Sequence, residues 1–305
     1  MISYNNFPLV SIVITTHNRP TLLKRAIDSA VGQTYPKTEI IVVDDASEKE
    51  TQAVCSQYKN IKYYYIPKEE SKGGNHARNL GIKASSGKYV SLLDDDDYWK
   101  PEKIEKQVNT LESNPQCGIC YTDYYREEVC PDGSTILHED KINRLFQGDM
   151  HVKIWACIII TTSKIMARRD ILIQVGLFDE ELGFWQDYEL LIRLSQASAF
   201  INCCETLTII RDDHKEKGRL TNNYYDWLKA IKYIDNKHKS IYSNAPLKYR
   251  IVYKIFCYCD GYARASKRNL RKECIIMWCK AFPFRVLHKC SIWIQRLKLP
   301  EEQVI

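Results

Sequence analysis

The segment LLDDDDYWKPEK, from Leu92 to Lys103, places four consecutive aspartates between an apolar pair and a proline. The apolar pair is typical of the end of a buried strand, and Pro101 is typical of the first turn of a helix. Four carboxylates this close raise one another's pKa and repel one another unless a cation neutralises them. Carboxylate oxygens suit Mg²⁺ or Mn²⁺, which often keep waters and bind substrate phosphates. The alternative is a solvated acidic loop that caps the following helix.

The chain around this segment alternates short β-branched runs with helical segments, which is typical of a parallel sheet with crossover helices. The predicted strands are Val10 to Thr15, Ile40 to Val43, Ile61 to Ile66, Tyr89 to Leu93 and Gly118 to Tyr124. A first crossover helix is expected from Pro20. Ligands of such sheets bind beyond the carboxyl ends of the strands, so the polar residues that follow the first, second and fourth strands should converge on one crevice.

A glycine pair opens another predicted helix in the segment KGGNHARN, from Lys72 to Asn79. The first turn of that helix can present N–H groups and Arg78 to anionic oxygens. The segment is neither a GxGxxG nor a Walker sequence, and a glycine pair before a helix is often only a turn.

Four of these segments, taken in order and spacing, resemble the successive motifs of the family 2 glycosyltransferases. They are TTHNRP (Thr15 to Pro20), VVDDAS (Val42 to Ser47), GGNHARNLGI (Gly73 to Ile82) and LLDDDDYWKPEK (Leu92 to Lys103). A fifth segment, GLFDEELGFWQDYELLIRL from Gly176 to Leu194, resembles the acceptor-side and catalytic-base motif of that family. The resemblance covers about residues 7 to 215.

The resemblance implies an α/β fold of the GT-A type, which is Rossmann-like with a mixed central sheet. It also implies a nucleotide-sugar donor, most commonly a UDP-sugar, bound Mn²⁺ or Mg²⁺, and inversion at the anomeric carbon. The donor-binding residues it implies are Thr16, Asn18, Arg19, Asp44, Asp45, Arg78, Asn79, Asp94 and Asp95. Asp94 and Asp96 form the Asp-x-Asp element, in which Asp96 contacts the metal and Asp94 contacts ribose or metal-bound water. His214 lies where family members often supply a basic residue near the diphosphate, and it is a third metal candidate.

Asp187 is the predicted catalytic base, because single-step inversion needs a proton acceptor on the face opposite the departing diphosphate. Without the motif, Asp187 would be interpreted as a first-turn helix carboxylate stabilised by the helix dipole. Thr162, Ser163 and Trp185 fall on the acceptor side, where an aromatic ring can stack on a sugar. The chain departs from the commonest pattern at Gln186, where an acidic residue often precedes the base. This departure puts a helper role at that position in doubt.

The C-terminal part of the chain differs in charge from the rest. Residues 222 to 305 contain 17 Lys and Arg against six Asp and Glu. We expect a catalytic domain over residues 1 to 220 and a helical basic region over residues 221 to 305. Apolar residues from Val286 to Leu297 recur at helical spacing, so the tail contains an amphipathic helix that either docks on an anionic membrane or packs on the catalytic domain. Nucleic acid is a poor partner, because none of the usual binding modules is present.

The start of the chain lacks a secretory signal, and no apolar run reaches the ~18 residues that span a bilayer. We therefore expect reduced cysteines and a cytoplasmic enzyme, on the inner face of the cell membrane if the tail docks. Its acceptor would be a glycan or a lipid-linked sugar in surface polysaccharide or lipopolysaccharide assembly. The alternatives are a nucleotidyltransferase, which leaves Asp187 unexplained, and an inactive carbohydrate-binding scaffold.

Overall fold

The computed structural model describes residues 7–157, 160–213 and 224–297, with side chains described as far as residue 286. These residues form two compact units. The first contains residues 7–151 and 160–213, and the second contains residues 152–157 and 224–297. The sequence placed residues 152–157 in the catalytic domain, whereas here they pack with the C-terminal helices. The predicted boundary at residue 220 lies outside the described residues.

One mixed sheet organises the first unit. Its strands, among the described residues, are β1 Val10–Thr16, β2 Thr38–Asp45, β3 Ile61–Ile66, β4 Tyr89–Asp94, β5 Tyr98–Trp99, β6 Cys117–Val129, β7 Thr135–Asp140, β8 Ile165–Arg168 and β9 Ala199–Asp212. They are ordered β3-β2-β1-β4-β8-β6-β9-β5, and β7 pairs with β6. Strands β1 to β4 are parallel, whereas β8 runs antiparallel to both β4 and β6. The result is the mixed central sheet that the sequence predicted.

All five predicted strands are present, but the fifth does not lie next to the fourth, as it would in a simple parallel series. The strand predicted from Gly118 to Tyr124 is the core of β6, which is separated from β4 by β8. Strand β8 comes about 40 residues later in the chain and inserts between them. Short strands supplied from a distant segment carry little local periodicity, which is why the pattern did not reveal β8.

The helices of the first unit are α1 Pro20–Val31, α2 Lys49–Cys55, α3 Gly74–Ala84, α4 Lys103–Ser113, α5 Arg169–Gln174 and α6 Gln186–Ala197. Helix α1 begins at Pro20 as predicted and buries Leu23, Ala26, Ile27 and Ala30. Helix α3 lies very close to the sheet, since a Cβ on Gly81 would stand 2.4 Å from Cγ1 of Val13. Only glycine permits this approach, which fixes the height of α3 and of its side chains above the sheet.

Parallel register brings three strand ends together. Thr16 at the end of β1 pairs with Asp44 of β2, and Thr15 pairs with Asp94 of β4. The polar residues that follow these strands therefore meet at one edge of the sheet, as the sequence predicted.

The second unit contains the helices α7 Tyr224–Lys237, α8 Lys239–Asn244, α9 Leu247–Lys267 and α10 Arg271–Leu297. Trp155 is fully buried in it, with the rings of Tyr242 and Tyr253 edge-on at 5.0 Å. Helix α9 carries Gly261 beneath Trp227, where a Cβ would lie 2.5 Å from the indole ring. Among the described helices, none is long and apolar enough to cross a membrane.

A buried lysine lies under the sheet edge that carries the polar residues. Lys103 is fully buried, and its Nζ donates to Oε1 of Gln107 at 2.7 Å and to Oγ of Ser91 at 3.1 Å. The ammonium also lies 3.9 Å from the ring centroid of Trp99. Burial lowers the pKa of Lys103 to about 7, from an ordinary value of 10.5. Between these two values the unfolded chain binds a proton that the folded chain does not, so stability rises with pH.

Replacing Lys103 by methionine should remove this pH dependence. We expect the unfolding free energy of the wild type, minus that of Lys103→Met, to rise by about 1.4 kcal/mol per pH unit between about pH 7.5 and pH 9.5. Urea denaturation across that range measures the difference. The exposed Lys59 provides the control, because Lys59→Met should give a flat difference. A flat difference for Lys103→Met would show that the folded lysine stays charged.

Candidate active site

The four aspartates form a turn at the carboxyl end of β4. The N–H of Asp97 donates to the carbonyl of Asp94 at 3.1 Å. Asp95 and Asp97 are buried, whereas the side chains of Asp94 and Asp96 remain 29% and 19% exposed. Alternate carboxylates therefore point inward and outward, and the outward pair is the predicted Asp-x-Asp element. We call residues 94–97 the acidic turn.

The inward carboxylates are held by partners from distant segments. Asp95 accepts from Oγ1 of Thr16 at 2.7 Å and from Arg19 at 3.1 Å. Burial raises the pKa of Asp95 to about 6, because the opposing charge of Arg19 offsets only part of the desolvation and the charge of Asp96 adds to it. Burial likewise raises the pKa of Asp97, and the charges of Asp96 and Asp94 raise it further. The protein partners of the acidic turn thus offset only part of the cost of burying its carboxylates.

Two outward carboxylates of this kind fit a hard divalent cation. No group of three or more His, Cys, Asp or Glu side chains is arranged to hold a metal ion within the described part of the chain. A cation bound here would therefore take its remaining ligands from water or from a bound diphosphate. His214, the third predicted metal ligand, lies outside the described residues.

Arg78 connects the acidic turn to the predicted base. Its guanidinium donates to Oδ1 of Asp94 at 2.6 Å. Burial alone would lower the pKa of Arg78, but the charges of Asp94, Asp187 and Asp96 raise it overall. Arg78 is therefore bonded to Asp94, and the charges of Asp96 and Asp187 act on the same guanidinium, although Asp187 lies 91 positions after Asp96 in the sequence.

Asp187 lies in the first turn of α6, partly buried, and accepts from the N–H of Tyr188 at 2.8 Å. Burial raises its pKa, although that backbone contact and the charges of Arg78 and Lys164 oppose the rise. A carboxylate with a raised pKa is a stronger proton acceptor. Trp185, immediately before α6, has the positive φ of 55°, which is rare for a non-glycine residue.

Several of the predicted nucleotide-binding residues lie in the loops after β1 and β2. Asn18 joins them, because its N–H donates to Oγ of Ser47 and its Oδ1 accepts from the N–H of Glu48. Both oxygens of Asp44 are used, by the N–H of Ser47 at 3.0 Å and the hydroxyl of Tyr63 at 2.7 Å. Asp45 is 6% exposed, and its buried Oδ1 has no hydrogen-bond partner among the described residues. Asp44 and Asp45 are both predicted donor-binding residues. Of these two, Asp45 is the one with a carboxylate oxygen that has no hydrogen-bond partner in the described part of the chain and could bind a ligand.

The acceptor-side segment contacts the acidic turn directly. Ser163 accepts from the N–H of Asp94 at 3.1 Å and donates to Oδ2 of Asp97 at 2.6 Å. Thr162 beside it is buried, and Trp185 is partly exposed with its ring edge-on to Tyr188. In the structure, Ser163 is therefore hydrogen-bonded to the acidic turn and is not part of an open surface.

Sequence reasoning missed two charged residues near this site. Lys164 is 2% exposed, with its Nζ 3.3 Å from the ring centroid of Tyr124, and its charge acts on Asp187. Arg25 of α1 donates to the carbonyl of Asp96 at 2.8 Å and to Glu127 at 2.8 Å. The available signal for Lys164 was its place beside the apolar residues Ile165, Met166 and Ala167, because a lysine that is buried there needs a partner.

Asn79 is bonded to a loop rather than facing open space. The loop, residues 176–182, leads into α6. Nδ2 of Asn79 donates to the carbonyl of Phe178 and to Glu180, both at 2.9 Å, and its Oδ1 accepts from the N–H of Phe178 at 2.8 Å. Asn75, one helical turn earlier, donates to the carbonyls of Asp179 and Leu182. Helix α3 therefore holds the loop that positions Asp187, and we call this pair of asparagines with the loop the α3 clamp.

Comparison with known proteins places these features in a family. The sequence model described as glycosyl transferase family 2 matches residues 11–176, just over half of the chain. Asp187 lies beyond that match. An uncharacterized glycosyltransferase of Rickettsia prowazekii is 34% identical over 199 residues, which is 63% of this chain and 60% of that protein.

Two further proteins are similar. The Escherichia coli UDP-Glc:alpha-D-GlcNAc-diphosphoundecaprenol beta-1,3-glucosyltransferase WfaP is 35% identical over 120 residues, or 39% of this chain and 47% of that protein. Among solved structures, a mannosyltransferase from Pyrobaculum calidifontis, in complex with GDP-Man and Mn²⁺, superposes with a TM-score of 0.57. That match has 18% identity and covers 92% of this chain and 83% of the other. Such a likeness shows the fold alone.

Loss of the α3 clamp should loosen the loop before α6. We expect Asn79→Ala to lower the unfolding free energy by about 1 to 3 kcal/mol, because it leaves the buried N–H and carbonyl of Phe178 without partners. Hydrogen exchange of amides in residues 178–186 should accelerate in the variant. Asn109→Ala, at an exposed position of α4, controls for the helix propensity of alanine and should be neutral or slightly stabilising. Unchanged exchange in residues 178–186 would show that the clamp does not restrain the loop.

Proposed function

The chain belongs to the family 2 glycosyltransferases, and we propose that it moves a sugar from a nucleoside-diphosphate donor to a hydroxyl of a glycan or lipid-linked acceptor. The observation that carries this proposal is the 2.6 Å contact of Arg78 with Asp94 of the acidic turn, where the charge of Asp187 also acts on the same guanidinium. An acidic turn suited to a metal diphosphate and a carboxylate suited to proton transfer occupy the same place. Nucleotidyl transfer gives no role to Asp187.

The donor lies across the loops after β1 and β2 in this proposal. Oδ1 of Asp45, which has no hydrogen-bond partner among the described residues, is suited to accept a hydrogen bond from an N–H of the nucleobase. The guanidinium of Arg19 is suited to bind the diphosphate. Uracil offers such an N–H, and the donor in the name of the E. coli relative is a UDP-sugar. We therefore infer a UDP-sugar donor.

Asp94 and Asp96 would hold the Mg²⁺ or Mn²⁺ that, when bound, neutralises charge on the diphosphate. The fit rests on two outward oxygen ligands at the end of β4 and on the surplus negative charge beside them. Arg19 lies 3.1 Å from Asp95 and 3.4 Å from Asp96, so it can share the diphosphate charge without leaving the turn.

Asp187 acts as the general base. It accepts the proton of the acceptor hydroxyl while that oxygen bonds to the anomeric carbon and the bond from this carbon to the diphosphate breaks. The nucleoside diphosphate leaves on the opposite face, so the configuration inverts in a single displacement. The partly exposed ring of Trp185, packed edge-on against the buried Tyr188, can stack on the acceptor sugar and exclude water, which would otherwise react in its place.

The acceptor is proposed to belong to surface polysaccharide or lipopolysaccharide assembly. The printed name of the E. coli relative specifies a sugar linked by diphosphate to undecaprenol as its acceptor. An acceptor of that class resides in a membrane, which would place the enzyme on the inner face of the cell membrane.

Nucleotide release from a panel of nucleotide sugars tests the donor and the metal together. We expect one UDP-sugar to release UDP when purified protein and Mn²⁺ or Mg²⁺ are present, and EDTA to abolish that release. Liquid chromatography of the products measures the release, with and without candidate acceptors. Metal-dependent nucleotide binding without release from any donor and acceptor pair would instead support an inactive scaffold.

Variants of three aspartates separate the proposed roles. Asp187→Asn should keep donor affinity and lower kcat by about 10²- to 10⁴-fold, because only the proton acceptor is lost. Asp96→Ala should also lose metal-dependent donor binding, measured by titration calorimetry. Asp170→Asn is the matched control, since Asp170 is an exposed first-turn carboxylate of α5 that makes the same contact to the next N–H at 2.8 Å. Near-normal transfer by Asp187→Asn would show that another group is the base.

A further inference from the structure

The first half of α10 exposes a continuous line of large apolar side chains. Ile275, Trp278, Phe282 and Val286 are 65%, 53%, 55% and 45% exposed. At 100° per residue these positions fall on one face of the helix. The rings of Trp278 and Phe282 lie 5.6 Å apart, so the face is contiguous. We call these four residues the α10 stripe.

The α10 stripe is not the face by which α10 packs in its own unit. Met277 and Ala281, on the other side of the helix, are each 3% exposed. The thioether of Met277 lies against Gly261 of α9, 3.1 Å from where a Cβ would stand. Helix α10 therefore has two apolar faces, of which one forms the core of the unit and the other faces outward. A contiguous outward face of this kind indicates an interaction surface, whereas single exposed apolar residues do not.

Basic residues border the α10 stripe. Lys272 and Arg285 are exposed and fall along its two edges, and the exposed Arg271 lies in line with it at its N-terminal end. Glu273 is the lone acidic residue between positions 271 and 286. It lies toward the packed side, partly buried, within 3.4 Å of the hydroxyl of Tyr225. The outward face thus combines Trp, Phe and Ile with positive charge alone.

This combination favours a lipid surface over a protein partner. The cores of protein interfaces are apolar, but their edges mix both signs of charge to match one partner. A helix that lies in the membrane interface places Trp, Phe and aliphatic side chains among the acyl chains and Lys and Arg beside anionic head groups. Since α10 cannot cross a bilayer, it can lie only along one.

We propose that the α10 stripe docks this protein on the surface of a membrane that contains anionic lipids. The sequence predicted an amphipathic helix from Val286 to Leu297, and the docking face defined here begins a further three turns earlier. The proposal does not depend on the proposed function, because docking needs neither donor nor acceptor.

Co-sedimentation of the full chain with lipid vesicles tests this proposal. We expect binding to phosphatidylcholine vesicles that contain about 30% phosphatidylglycerol, weak binding to pure phosphatidylcholine, and loss of most binding in about 0.5 M NaCl. Trp278→Gln with Phe282→Gln should lower the partition coefficient at least about tenfold. Arg271→Glu with Lys272→Glu should lower binding to the anionic vesicles only.

The control is Leu145→Gln, because Leu145 is 71% exposed on the other unit and should not affect binding. Circular dichroism and thermal melting confirm that each variant is folded, which polar replacements at exposed positions should allow. Equal binding to both kinds of vesicle would overturn the electrostatic part of the proposal and with it the assigned partner. Absence of vesicle binding would overturn the proposal entirely. If the protein then forms a dimer that Trp278→Gln dissociates, a second copy of the chain covers the α10 stripe.

Discussion

The crowding of four carboxylates at the end of β4 is the constraint on which the rest of the site depends. Burial and mutual repulsion raise the pKa of Asp95 and of Asp97, so the turn is costly in isolation. Three arginines from separate segments of the chain contact the turn. Arg19 follows β1, Arg25 lies in α1, and Arg78 lies in α3. Their contacts fix the geometry of the turn.

The same charges also help to position Asp187, the predicted base. Asp187 belongs to a helix that begins after the left-handed residue Trp185, a conformation that costs about 1 to 3 kcal/mol unless surrounding contacts impose it. The α3 clamp supplies such contacts from one side, and the attraction between Arg78 and Asp187 supplies them from the other. Helix α3 is thus the element that relates the base to the acidic turn, and its height is set by Gly81 against β1.

Local sequence patterns were sufficient to predict the part of the molecule in which short strands and helices alternate. Strands β1 to β4 carry β-branched runs, α1 carries a proline and a buried apolar face, and parallel register then brings Thr16, Asp44 and Asp94 together. The contacts made by Asn79 could not be predicted, because its partners lie about 100 residues away in the sequence. Nothing in the sequence around a helical asparagine indicates which residue it will bond. The same holds for β8 and for Lys164, whose places are set by tertiary pairing. The motifs therefore indicated which residues gather at the site, and the structure shows which of them are already bonded to one another.

The bonding of Ser163 to the acidic turn has a consequence for specificity. Ser163 belongs to the segment that the sequence predicted to lie on the acceptor side, yet it joins the N–H of Asp94 to the carboxylate of Asp97. The next residue, Lys164, places a buried charge near Asp187. A change of acceptor that required a different backbone path through residues 162–164 would therefore disturb the turn and the base together.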